Sequence, residues 1–185
     1  MTINYSIYTI MEELQAAADQ VVDEQLEQLA EVIIGSGRIF VAGAGRSGLM
    51  MRAFAMRLMH LGLDVYVVGE TVTRSIGKGD LLLIGTGSGE TRSLIPMAEK
   101  ARSLEAHVVT LTLSSSSTIG RLADHIVKLP GAPKNQLDQE ASTIQPMGSL
   151  FEQILLLVCD TVILKLMQKQ MSSGRLMYGN HANLE

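Results

Sequence analysis

The sequence has no tryptophan, one cysteine, four prolines and 4% aromatic residues. So few flat rings argue against a base-stacking nucleic-acid platform or a glycan platform. The lone Cys159 cannot close an internal disulfide, and a reducing cytoplasm is the simplest expectation. Charged residues make up 18% of the chain, against about 25% in an average one. The net charge of −4 argues against a general nucleic-acid binder, which carries a strongly basic domain. Long hydrophobic runs are also missing. The longest, Ile154–Cys159, stops at Asp160, whereas a membrane span takes roughly 18 or more apolar residues. Met1-Thr2-Ile3-Asn4 shows neither an early cation nor a cleavable signal pattern, so export is not expected.

What is present is apolar. Hydrophobic residues make up 46% of the chain, with eleven methionines, which rules out a disordered chain. One small monomer cannot hide that much apolar surface, so a homo-oligomer is expected. The length of 185 residues fits a single domain.

Helical spacing of Ile3, Ile7, Ile10, Leu14, Ala17, Val21, Leu29, Val32 and Ile33 predicts one long helix over residues 3–34. An α/β core follows over about 35–130. Its expected strands are Arg38–Ala42, Asp64–Val68, Asp80–Ile84, His107–Leu113 and His125–Leu129, with helices over 47–62, up to about Ala106 and at Ile119–Asp124. Pro130–Pro146 reads as a loop, Met147–Gln170 as a last helix, and the tail from Ser172 as polar and loose. The strand runs are continuously apolar, as in strands buried on both faces of a parallel sheet. The expectation is a three-layer, doubly wound, five-stranded parallel α/β fold. Ligands in such folds sit beyond the carboxyl ends of the strands.

Two turns lie there. Gly43-Ala44-Gly45-Arg46-Ser47-Gly48 matches the dinucleotide fingerprint, with Glu70 placed as a ribose-binding acid. A tight strand-to-helix turn alone also asks for glycine. Arg46 and Ser47, however, suit a compact phosphate better than a pyrophosphate held by bare backbone. Gly85-Thr86-Gly87-Ser88-Gly89-Glu90-Thr91 adds three hydroxyls among glycines, a nest for one phosphate, although Ser88 or Thr91 could simply cap a helix.

These two turns, with their flanking strands, resemble the SIS (sugar isomerase) domain over about residues 30–170. Gln145-Pro146-Met147-Gly148-Ser149-Leu150-Phe151-Glu152 resembles more closely the 6-phospho-3-hexuloisomerase branch of that family, of the bacillus type. The resemblance implies a flavodoxin-like fold and a tetramer with active sites between subunits. It implies conversion of 3-hexulose 6-phosphate to fructose 6-phosphate through a cis-enediolate, in the ribulose monophosphate route of formaldehyde assimilation. Family residues map onto Ser47, Ser88, Thr91 and Glu152, and less firmly onto His60. With them, Gly45, Arg46, Thr86, Gly87, Gly89 and Glu90 make up the expected sugar-phosphate site.

Moving a carbonyl between C3 and C2 needs a group that takes one carbon's proton and returns it to the next, and one carboxylate can do both. Glu152 is the candidate, although a Glu in a helix's first turn also complements the helix dipole. His60 is the plausible catalytic imidazole, able to polarise an oxygen or help open the sugar ring; it could equally be a helix C-terminal residue bound to the last carbonyls. Arg52 and Arg57 read as surface or interface charges. Met50, Met51, Met56 and Met59 read as core or interface, and Cys159 as a small buried hydrophobe. No Cys, His or Asp spacing suggests a metal, and no cofactor is expected. Three alternatives stay open: a phosphoheptose-type isomerase, a non-catalytic sugar-phosphate sensor, and a nicotinamide oxidoreductase built on the first turn. A sensor of this kind would carry a helix-turn-helix, and a single amphipathic helix is too little for one.

Overall fold

The computed structural model describes residues 6–134 and 143–184. Ile3 and the middle of the Pro130–Pro146 loop lie outside them. The strands are β1 (Ile39–Gly43), β2 (Val65–Val67), β3 (Leu81–Gly85), β4 (His107–Thr112) and β5 (His125–Lys128). They form one parallel sheet in the order β2-β1-β3-β4-β5. The order reverses beside β1, at the switch point where ligands bind in open α/β sheets.

The side-chain alternation of a strand sorts the sheet residues between two cores. Ile39, Val41, Leu81, Leu83, Val109 and Leu111 face α1 (Ile7–Ala18), α2 (Asp23–Gly35), α3 (Gly45–His60) and α6 (Ser149–Lys169). Phe40, Ala42, Leu82, Ile84 and Val108 face α4 (Ile95–Ser103) and α5 (Thr118–Leu122). Helix α6 lies against α3, α2 and α1 and buries Phe151, Leu155, Cys159, Val162 and Leu166. Each such side chain contributes about 1.5–3 kcal/mol.

The long N-terminal helix expected from the spacing is two helices. Helix α1 stops at Ala18, where the Asp19 N–H donates to the Gln15 carbonyl at 3.1 Å and the Gln20 N–H to the Ala17 carbonyl at 3.0 Å. Val22 is extended, and Asp23 and Glu24 open α2 where acids complement the helix dipole. The break resets the phase, so that α2 buries Leu26, Leu29, Ala30 and Ile33 rather than Val32.

The tail is also more ordered than expected. Ser173 caps a short helix, α7 (Gly174–Tyr178), and Asn180 Nδ2 donates to the His60 carbonyl at 2.9 Å. At the amino end of the sheet, buried Asp80 ties the entry to β1 to the entry to β3. It takes a two-pronged hydrogen bond from Arg38 at 3.1 and 2.8 Å and the Gly77 N–H at 2.8 Å. Among the described residues no helix is long and apolar enough to cross a membrane.

Candidate active site

The two predicted turns meet at the carboxyl ends of β1 and β3. In the first, Gly43 and Gly48 press backbone to backbone: a Cβ on Gly48 would lie 2.7 Å from the Gly43 carbonyl oxygen. This close approach seats the first turn of α3 on the end of the strand. Gly45 has φ +58, which a larger residue adopts only with strain. Ser47 is thereby buried in the cavity wall.

The second turn supplies Thr86, Ser88 and Thr91 to the same cavity. The Thr86 and Thr91 hydroxyls are 3.2 Å apart, and Thr86 Oγ1 accepts the Gly89 N–H at 3.3 Å. Ser88 Oγ accepts the Glu90 N–H at 3.2 Å. Three hydroxyls and the surrounding amides therefore converge within one loop. Gly89 and Glu90 serve the loop rather than its lining. Gly89 has φ +65, and a Cβ there would run into Ser117. Glu90 accepts the Thr118 N–H at 2.7 Å, which holds its carboxyl below the ordinary value and pins the turn to α5. Helix α4 begins only at Ile95, so Thr91 is not its N-cap.

Glu152 stands in the first turn of α6 and is buried. Arg46 Nη1 donates to Glu152 Oε2 at 3.2 Å and to Ser149 Oγ at 2.9 Å. Lys134 Nζ lies 3.8 Å from Glu152 Oε1. A buried carboxylate is thus bracketed by two cations, one at each oxygen. Gly148, Phe151 and Lys134 continue the cavity wall, which encloses about 710 Å³, within the range of small-molecule sites. Sequence reasoning missed Lys134. Its signal was faint: a cation just past the end of β5, inside a proline-marked loop. Arg46, expected to bind phosphate, instead bonds to the candidate base and lies outside the cavity lining.

His60 is elsewhere in the chain. It ends α3, and Gly45 begins it, roughly 22 Å away at 1.5 Å per residue. It is buried, stacked on His181 at 5.3 Å, with Nδ1 3.2 Å from Arg57 Nη1. Burial, then the charges of Arg57 and His181, hold its pKa below the ordinary value. Glu70 pairs with Arg52 at 2.6 Å and does not line the cavity, which removes the acid that a dinucleotide reading needs. Met51 is buried, while Met56 and Met59 are exposed on α3. Cys159 is fully buried, and burial pushes its thiol pKa far up. Among the described residues, no three His, Cys, Asp or Glu side chains gather as metal ligands.

The family model of the SIS domain matches residues 32–157, more than half of the chain. The chain belongs to the SIS domain family. Among curated SIS relatives, the 3-hexulose-6-phosphate isomerase of Bacillus subtilis is 53% identical over 176 residues, covering 95% of both chains. The enzyme of the same name from Mycobacterium gastri is 41% identical over 183 residues, 99% of this chain and 92% of that one. A Methanococcus jannaschii crystal structure, from which a 3-hexulose-6-phosphate isomerase function was inferred, superposes with a TM-score of 0.83. It is 31% identical and covers 97% of this chain and 98% of its own. The five-stranded SIS fold expected from the sequence is the fold observed.

Proposed function

We propose that this chain is a 3-hexulose-6-phosphate isomerase, interconverting D-arabino-hex-3-ulose 6-phosphate and D-fructose 6-phosphate. The observation that carries this reading is Glu152: a buried carboxylate beside a hydroxyl- and amide-lined cavity, on the chain's most specific motif. The phosphate docks on the second turn, where the Thr86, Ser88 and Thr91 hydroxyls and the Gly87 backbone converge, with Ser47 on the facing wall. The sugar then extends toward α6. Glu152 takes the proton from C2 of the 3-ketose, the C2–H electron pair becomes the C2=C3 bond, and the carbonyl pair moves onto O3. The hydroxyl proton of O2 passes to O3 between the two cis oxygens, and Glu152 returns its proton to C3. No atom is gained or lost.

His60 joins this reading only through a second copy of the chain, because within one copy it sits at the far end of α3. Exposed Leu49, Met56, Leu157 and Leu164 on α3 and α6 supply an apolar face for such a copy, and we place the enzyme as a homo-oligomer, a tetramer in the family pattern. Its lone thiol, buried and unpaired, fits the cytoplasm. Glu152→Gln tests the reading: turnover should disappear while sugar phosphates still raise the melting temperature. Equal turnover in the variant would remove Glu152 as the base.

A further inference from the structure

We infer that Lys134 is a catalytic residue, its ammonium holding the negative charge that forms on the substrate oxygens when Glu152 removes the proton. The inference rests on the isomerase reading above and assigns a residue that neither sequence motif contains.

A carbonyl cannot move along a sugar chain without a transient oxyanion. Charge that appears only in the transition state is stabilised best by a fixed cation or hydrogen-bond donor waiting where it develops. The cavity lining offers many hydroxyls and amides, but among the described residues one charged side chain, Lys134. Arg46, the other cation near the base, stands outside that lining and is engaged by Ser149 Oγ at 2.9 Å and Glu152 Oε2 at 3.2 Å. The two cations therefore divide the work by position.

The distances suit this role. Lys134 Nζ is 3.8 Å from Glu152 Oε1, too far for a hydrogen bond, yet on the oxygen that Arg46 does not bind. A base works on a carbon roughly 3 Å from its oxygen. The oxygens of the enediolate lie one C–O bond beyond the two reacting carbons. Glu152 borders the cavity without lining it, so a substrate that reaches Oε1 must pass Lys134, whose ammonium on a flexible four-carbon stem can then reach those oxygens. The side chain is 57% exposed on its open side, so no packing has to break for it to turn toward substrate.

The placement also separates two anionic groups of the substrate. The phosphate belongs to the second turn, at the end of β3. Lys134 follows β5 and faces α6, beside the base. A lysine recruited for the phosphate would affect ground state and transition state alike, whereas one recruited for the enediolate affects only the latter.

The experiment is a steady-state comparison of wild type, Lys134→Met and Lys134→Arg on fructose 6-phosphate, with exchange of the C3 proton in heavy water as a second readout. Lys134→Met should lose roughly 100–1,000-fold in kcat, with KM changed less than about threefold, and should lose C3 exchange in parallel. Lys134→Arg keeps the charge and should recover at least about tenfold of that loss. A rise in KM with kcat retained would make Lys134 a phosphate ligand and overturn the inference; an unchanged kcat would overturn it outright. Wild type that fails to exchange the C3 proton would overturn the isomerase reading itself, whatever Lys134 does. Wild type that exchanges, with Glu152→Gln inactive and Lys134→Met active, would leave that reading standing and remove only Lys134.

Discussion

Arg46 and Glu152 are 106 residues apart in sequence and meet at 3.2 Å, where the first turn of α3 faces the first turn of α6. The same guanidinium nitrogen holds Ser149 Oγ, one turn before Glu152. The base is thereby fixed relative to the helix that bears it and to the turn beside the phosphate nest. The glycine-rich first turn thus acts less as a phosphate cradle than as a mount for the carboxylate.

Arg46→Ala should therefore lower kcat about 10- to 100-fold, the scale of a misplaced catalytic group. KM should change little. Arg46→Lys keeps a charge that can serve both oxygens from one nitrogen, as Nη1 does, but on a more flexible stem, and should recover part of the rate. Steady-state kinetics checks both. A rise in KM alone would return Arg46 to the phosphate-binding role that its place in the sequence suggests.

A second tie holds the segment that leads into the same helix. Glu13 on α1 accepts hydrogen bonds from Thr143 Oγ1 at 2.6 Å, the Ile144 N–H at 2.6 Å and Gln145 Nε2 at 2.9 Å. Burial opposes its charge, but the three hydrogen bonds together outweigh it and hold the carboxyl below its ordinary value. The stability this contributes is present above the ordinary Glu pKa near 4.3 and is lost as pH falls through the lower folded value. Glu13→Gln should cost about 1–2 kcal/mol at pH 7, a Tm drop of a few degrees. The gap between variant and wild type should narrow below about pH 4. Thermal melts from pH 7 to pH 3 read this directly.

His60 gives a test of assembly. If the site combines Glu152 of one copy with His60 of another, two inactive variants, Glu152→Gln and His60→Asn, should complement when unfolded and refolded together. Random mixing restores roughly a quarter of the sites. No recovery, with each variant folded, would confine His60 to its place beside Arg57 and His181 at the end of α3.

Much of this was legible in the sequence, for physical reasons that can be named. The apolar runs at Ile39–Ala42 and Leu81–Ile84 are buried on both faces, so their composition alone declares a parallel sheet. The Gly-rich ends of β1 and β3 mark positions where a positive φ strains a larger residue, as at Gly45, or a backbone contact leaves no room for a side chain, as at Gly48. What was hidden depends on distance along the chain. Nothing local to Arg46 says that Glu152 will neutralise it. Nothing around Lys134 says that the loop after β5 turns it toward α6. The α1–α2 break was blurred because Val21 keeps the helical phase up to the point where Val22 leaves it. The tail read as loose because its order comes from long-range contacts: Asn180 bonded to the His60 carbonyl, His181 stacked on His60 and Met177 packed on the core.

The central claim is that Glu152 shuttles a proton between C2 and C3 of a phosphorylated ketose. The most direct measurement is incubation of the protein with fructose 6-phosphate in heavy water, without added metal or cofactor, following the C3 proton by NMR. Loss of the C3 proton signal, abolished by Glu152→Gln, is the predicted result. Exchange at C1 instead, or C3 exchange that survives in Glu152→Gln, would contradict it.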